Sequence, residues 1–214
     1  PLEAASNAFP EDDDLWKKLG KCYHKTGKLE SAIEKYKQMV IDQPDNKTAY
    51  MNLAGAYRET NQNEEALKVL KDLKAIDQDN PKVYLRLADV YIVLENFTKA
   101  KANANKAIEI DAELHDSYRV LASIHQKIGY KKYEQFLEYE EMYKDKSVYY
   151  GEKADEMSEM ITNVKADANS NFKKAEQYLT ETENRTDNSS VISDINKTRK
   201  TLSQLKEATK SGGF

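Results

Sequence analysis

The side chains of this sequence that are best suited to hold a carboxylate are its 33 lysines and arginines. An ammonium or guanidinium group pairs with a carboxylate through charge-assisted hydrogen bonds, and an asparagine amide adds a neutral donor. Such side chains suit an acidic segment or a chain terminus of another protein. Which of them act together depends on the elements that carry them.

The residue types that serve enzymes occur without the spacing that catalysis needs. The three histidines, His24, His115 and His125, show no metal-ligand spacing. Cys22 has no Cys-His-Asp arrangement around it, which favours an inert thiol. The seven glycines form no phosphate-binding loop. We therefore expect neither an enzyme nor a bound cofactor or metal.

Composition favours helices joined by short turns. Of 214 residues, 33% are charged and 39% hydrophobic, and there are only seven glycines and four prolines. Sandwiches and barrels need more turn residues than this. The longest apolar run, residues 90–94, is far shorter than the roughly 18 residues of a membrane span. The net charge of −4 argues against nucleic acid as a partner.

An internal repeat of 34 residues organises the chain. Large, apolar and small residues recur at this step in four parallel series: Trp16, Tyr50, Tyr84 and Tyr118; Leu19, Leu53, Leu87 and Leu121; Gly20, Ala54, Ala88 and Ala122; Tyr23, Tyr57, Tyr91 and His125. A fifth series contains Ala32, Ala66 and Ala100, and its fourth copy departs with Glu134. The three earlier members of the series that ends at His125 are tyrosines, so we expect His125 to lie in the core.

Each repeat is typical of two short amphipathic helices. The first helix carries its recurring residues at i, i+3, i+4 and i+7, which is one helical face. The turn after it contains Gly27, Asn61, Glu95 or Gly129, at the place where a left-handed residue closes a helix. Loops at 43–46 and 78–81 then separate one unit from the next. A single pair cannot bury its own apolar face, so the units must stack.

The pattern W-x-x-L-G-x-x-Y (Trp16, Leu19, Gly20, Tyr23), followed by Ala32, Tyr36 and Pro44, resembles the tetratricopeptide repeat family over about residues 13–146. The resemblance implies an all-α fold: a right-handed superhelical solenoid of antiparallel helix pairs, with a concave groove lined mostly by the first helix of each pair. It also implies a scaffold for protein recognition.

The domain organisation follows from the repeat. We expect an N-terminal extension (1–12), four repeats (13–46, 47–80, 81–114 and 115–146), a linker (184–190), a capping helix (191–210) and a tail (211–214). Residues 147–183 fit either a degenerate fifth repeat, with its turn near 168–171, or one long helix. The apolar stripe of the last helix fits a cap on the solenoid or, alternatively, a heptad seam to a partner.

The groove implied by the resemblance is basic. The positions that face it in the family hold nine basic residues: Lys17, Lys18, Lys21, Lys25, Arg58, Lys82, Arg86, Arg119 and Lys127. They hold four acidic residues: Asp14, Glu59, Asp89 and Asp116. The resulting groove charge of about +5 should steer an acidic segment into it.

Some family members that act as co-chaperones hold a terminal carboxylate with five clamp residues. The matching places here contain Lys17, Lys21, Asn52, Lys82 and Arg86, and Lys21 stands where the clamp has asparagine. Two interpretations remain: a functional clamp, or a solvated basic groove for another acidic partner. In both, we expect the peptide-binding residues to be Lys17, Lys21, Asn52, Arg58, Lys82, Arg86 and Arg119.

A different class of function rests on six tyrosines between residues 130 and 150. They fit either helix packing or an exposed aromatic patch. In the second case the protein would be a structural component of a larger assembly that docks through this region and the C-terminal helices. The oligomeric state stays open. A cytoplasmic location is expected, with an extracytoplasmic or anchored form if a segment precedes Pro1.

Overall fold

The structure is a computed structural model that describes residues 18, 22, 23, 25–144 and 152–211. Its helices are α1 (Leu29–Asp42), α2 (Lys47–Glu59), α3 (Asn63–Ile76), α4 (Pro81–Val93), α5 (Phe97–Ile110), α6 (His115–Lys144), α7 (Glu152–Glu183) and α8 (Ser189–Ser211). The described residues contain no strand. Within that same part of the chain, every helix is too short or too polar to cross a membrane.

The chain divides into two compact units, Pro1–Ile110 and Asp111–Phe214. In the first unit α2 packs on α3 and α4 packs on α5, as the 34-residue repeat predicts. Helix α2 also packs on α1, and α3 on α4, so the helix pairs are stacked. Stacking is required because each pair leaves one apolar face that it cannot cover alone.

A left-handed residue separates the helices within each described repeat of the first unit. Gly27, Asn61 and Glu95 have φ values of 69°, 60° and 56°. The prediction of a left-handed residue is therefore confirmed at Gly27 and Asn61, and Glu95 has the same conformation. Glycine adopts this conformation freely, whereas asparagine and especially glutamate adopt it at some cost in free energy.

The repeated small and large residues form the core of the first unit. The alanines of the fifth series are almost fully buried, which lets the neighbouring helix approach closely. Around them lie larger buried side chains: Tyr36, Leu53, Tyr57, Leu70, Leu73, Leu87 and Tyr91. Burial raises the pKa of Tyr36 to about 12, because the phenolate loses hydration.

Asparagine begins the first helix of two repeats. Asn46 Oδ1 accepts from the Ala49 N–H at 2.9 Å, and Asn80 Oδ1 accepts from the Lys82 N–H at 3.0 Å. Such caps satisfy backbone donors that have no partner inside the helix. They explain why α2 and α4 begin directly after the predicted inter-repeat loops.

The second unit departs from the repeat pattern. Helix α6 continues through Gly129, where the sequence predicts a turn, so residues 115–144 are one helix rather than a pair. Helix α7 is equally continuous through residues 168–171. The prediction of a fourth helix-turn-helix repeat is therefore wrong. Gly129 does not have the left-handed φ of Gly27 and lies against the ring of Phe172, so it takes part in the packing of α6 on α7.

Two apolar clusters hold α6 against α7. One lies toward the α6 C-terminus and contains Phe136, Met157, Ile161 and Val164. The other contains Ala122, Ala168, Phe172, Ala175 and Leu179, together with Ile195 and Leu202 of α8. Later residues of α6 thus meet earlier residues of α7, which makes the two helices antiparallel. The predicted core position of His125 is confirmed, since only 6% of it is exposed.

Helix α8 turns its apolar stripe toward its own chain. Ile195 and Leu202 are buried, and Val191 and Leu205 pack against the same cluster. Arg199 adds polar contacts, because it donates to Glu176 Oε1 at 2.8 Å and Glu183 Oε2 at 2.7 Å on α7. Thr209 Oγ1 donates to Asn169 Oδ1 at 2.8 Å. These contacts are those of a helix that covers α7.

Candidate functional site

The candidate binding residues of the first unit lie on α2 and α4, the first helices of two successive repeats. Asn52 and Arg58 belong to α2, and Lys82 and Arg86 to α4. Lys82, Arg86 and Asp89 are spaced i, i+4 and i+7, which places them on one side of α4. The side chains of Lys82 and Arg86 are exposed to solvent.

Asp89 joins the two helices at this surface. Its Oδ2 accepts from Arg58 Nη1 of α2 at 3.4 Å and lies 3.8 Å from Arg86 Nη1 of α4. The structure therefore brings Arg58 and Arg86 to a common carboxylate. We call Arg58, Lys82, Arg86 and Asp89 together the α2–α4 face.

Part of the basic charge at this face is balanced within the molecule. Arg58 Nη2 lies 3.6 Å from Glu59 Oε1, in addition to its contact with Asp89. The groove charge of about +5 predicted from the sequence counted each residue separately, whereas Arg58 and Arg86 share the Asp89 carboxylate. Lys82 forms no ion pair with any of the described residues, so its positive charge is not balanced locally.

Asn52 carries a buried donor. Its Nδ2 is shielded from solvent and has no hydrogen-bond acceptor among the described residues. A buried amide donor without a partner costs about 1–3 kcal/mol. The atom lies less than two helical turns before Arg58, at a position that the clamp pattern assigns to ligand binding. A ligand oxygen could satisfy it only if the side chains that cover it move.

The remaining predicted site residues cannot be assigned to this face from the described residues of the first unit. Lys17 and Lys21 lie outside the described residues. Arg119 belongs to α6 in the second unit, where its Nη2 lies 2.9 Å from Asp116 Oδ1. The complete five-residue clamp is therefore not observed, and three of its members, Asn52, Lys82 and Arg86, can be described.

Sequence reasoning counted Asp89 only as a negative charge and missed its role as the link between α2 and α4. One signal was present, since Asp89 follows Arg86 by three residues on the same helix face. The contact with Arg58 spans 31 positions and depends on how the repeats stack. The spacing of residues within one helix therefore could not predict the contact between Arg58 and Asp89.

Metal-binding side chains are not clustered in the described part of the chain. The described residues contain no group of three or more histidine, cysteine, aspartate or glutamate side chains that could hold a metal ion. Cys22 is a free, partly exposed thiol. His125 Nδ1 lies 2.9 Å from Asn171 Oδ1, and its ring stacks on Tyr178, which is a packing role.

Comparison with known families identifies the first half of the sequence. Three models described as tetratricopeptide repeat match residues 2–46, 26–84 and 81–114. Together they span residues 2–114, which is more than half of the 214 residues and includes α1 to α5. No curated protein matches the sequence.

Solved structures with similar folds cover most of the chain. A thermophilic TPR protein of Thermus thermophilus is 23% identical, covers 79% of this chain and 86% of its own, and has a TM-score of 0.53. A protein of Bacteroides ovatus is 12% identical, with 92% and 100% covered and a TM-score of 0.53. A MamA protein is 17% identical, with 94% and 96% covered and a TM-score of 0.49. At these identities the first two likenesses show a shared fold.

Proposed function

Because the chain belongs to the tetratricopeptide repeat family and has its all-α solenoid fold, we propose that it is a non-enzymatic adaptor that binds an acidic partner at the α2–α4 face. Proteins of this family are generally scaffolds for interactions between proteins. The ligand would be an extended acidic segment or a C-terminal carboxylate of another protein.

The observation that carries the proposal is the meeting of Arg58 and Arg86 at one carboxylate. Two guanidinium groups from different repeats already approach the Asp89 oxygen to 3.4 and 3.8 Å. A carboxylate of a ligand has the same chemistry as the Asp89 side chain and would accept from the same donors. Guanidinium groups bind carboxylates in planar, often bidentate geometry, which favours an extended acidic chain over a diffuse counterion.

Two further features support an acidic ligand. Lys82 lies one helical turn before Arg86 with an exposed ammonium group, so a second carboxylate of the same segment could reach it. The described residues supply no acceptor to the Nδ2 donor of Asn52, and a ligand carbonyl or carboxylate could supply one once the side chains that cover this atom move. A clamp-like arrangement would use Asn52, Lys82 and Arg86 together with the two lysines near the N-terminus, Lys17 and Lys21.

The alternative function, assembly through the tyrosine-rich region, receives less support. Tyr133, Tyr139 and Tyr143 are partly buried and pack against the apolar clusters between α6 and α7. Tyr130 is 47% exposed. Tyr149 and Tyr150 lie outside the described residues.

Fluorescence anisotropy with a labelled acidic peptide tests the proposal. The peptide is used with a free C-terminal carboxylate and again as the amide, at low and at physiological salt. Binding that amidation abolishes would support a terminal-carboxylate clamp. Binding that survives amidation and weakens with salt would support an internal acidic segment, because salt screens exposed charges. Absence of binding by both peptides to folded protein would contradict the proposal.

A further inference from the structure

We propose that Asp89 is an internal competitor that sets the affinity and the selectivity of the α2–α4 face for acidic ligands. This inference rests on the proposed function, because it concerns the same surface. Asp89 would occupy, in the free protein, the place that a ligand carboxylate takes in the complex.

The geometry of the Asp89 contacts suits a partner that can be displaced. Its distances to Arg58 and Arg86 are 3.4 and 3.8 Å, longer than the roughly 2.7–2.9 Å of strong charge-assisted hydrogen bonds. The side chains are also open to solvent, with 33% of Arg58 and 52% of Arg86 exposed. Ion pairs of this kind contribute little individually, so a ligand can replace them.

An incoming carboxylate meets a cost that depends on Asp89. It must either displace the Asp89 carboxylate from the two guanidinium groups or bind beside it, and then two like charges lie close together. Both routes weaken binding relative to a face without this side chain. The arginines, however, keep their orientation in the free protein because Asp89 holds them.

Lys82 determines which ligands overcome that cost. It forms no ion pair with the described residues, so a first carboxylate can bind it without competition. A second carboxylate on the same segment can then displace Asp89 at a high effective concentration. A ligand with a single carboxylate lacks this second step. The face should therefore select segments with two or more closely spaced carboxylates.

The test compares Asp89→Asn with the wild-type protein and with Asp194→Asn as a matched control. Asn keeps the size of Asp89 and one of its acceptor oxygens, but it loses the negative charge and has an amide donor in place of the second oxygen. Asp194 on α8 contacts Lys197 by i, i+3 spacing and is largely exposed, so its substitution changes net charge equally at another place. Circular dichroism and thermal melts establish that all three proteins are folded.

Each protein is titrated with a labelled peptide that carries a run of glutamates and with one that carries a single glutamate, both amidated. Because each of the two exposed pairs contributes about 0.2–1 kcal/mol, we expect Asp89→Asn to bind about two- to thirtyfold more tightly. The gain should be relatively larger for the single-glutamate peptide, and Asp194→Asn should resemble wild type.

If the wild-type protein binds the peptides and Asp89→Asn binds them equally or more weakly, this inference is overturned and the proposed function stays in place. An equal gain for Asp194→Asn would also overturn it, because overall charge alone would then explain the effect. Absence of binding to wild type and to both variants would overturn the proposed function itself.

Discussion

The ring of Phe172 on α7 lies directly against Gly129 on α6. A Cβ atom built at Gly129 would be 2.6 Å from Phe172 Cε1 and 3.3 Å from the Ala168 carbonyl oxygen. Phe172 is fully buried, so its ring has no solvent-filled space to enter. Glycine at this position therefore sets how closely the two long helices approach.

We expect Gly129→Ala to lower the free energy of unfolding by about 1–3 kcal/mol, because the added methyl group overpacks the contact with Phe172. Chemical denaturation followed by circular dichroism measures the change. Gly55→Ala is the matched control, since Gly55 is also helical and a Cβ there meets nothing within 4 Å. It should raise stability by about 0.5–1 kcal/mol. Equal effects of the two substitutions would contradict the close approach.

The second prediction concerns the attachment of α8 to α7. Arg199→Gln should destabilise the protein by about 1–2 kcal/mol, because Glu176 and Glu183 lose a charged donor at a partly buried place. Urea denaturation provides the measurement.

Lys197→Gln on the same helix serves as its control. Lys197 lies 3.2 Å from Asp194, and both side chains are largely exposed. Its substitution should change stability by less than about 0.5 kcal/mol. If Arg199→Gln were as neutral as Lys197→Gln, the ion pairs would not contribute to holding α8.

The third prediction is a pH dependence that originates at Asp77, in the loop between α3 and α4. Burial raises the pKa of Asp77, but the hydrogen bonds from Lys47 and Asn80 and the positive charge of Lys47 together lower it by more. The pKa of Asp77 therefore lies below its ordinary value. The ionised form is thus favoured by folding. Its stabilising contribution is present above about pH 4 and is lost as pH falls through the lowered pKa.

Asp77→Asn should therefore cost about 0.5–1 kcal/mol at pH 7, and its difference from wild type should shrink as pH falls toward 3. Urea denaturation at several pH values measures this difference. Asp79→Asn, at an exposed position in the same loop, should show no such trend. A constant deficit of Asp77→Asn at all pH values would indicate lost packing instead of lost charge.

The sequence predicted the first unit well because its structure depends on local and repeated signals. The series through Ala32, Ala66 and Ala100 marks close helix packing, and the turn residues Gly27 and Asn61 have the left-handed conformation expected of them. Each signal lies within one repeat or recurs at a constant step. Such regularity needs no knowledge of distant contacts.

The structure of the second unit could not be predicted from the repeat alone. Gly129 has the same position in the repeat as Gly27, yet it lies within a helix and packs against Phe172, 43 positions later. The sequence contained one signal of this departure, because Glu134 stands where the earlier repeats have alanine. At the candidate site the residues on α2 and α4 were predicted, whereas the Arg58–Asp89 contact depends on repeat stacking.

Charge reversal at the α2–α4 face tests the central claim most directly. The variant carries Lys82→Glu and Arg86→Glu, and its control carries Lys68→Glu and Lys71→Glu at exposed positions of α3 in the same unit. Both change the net charge equally. Titration with a labelled acidic peptide should show at least about a tenfold loss of affinity for the first variant and little change for the control. Equal affinities of the two variants would contradict binding at this face.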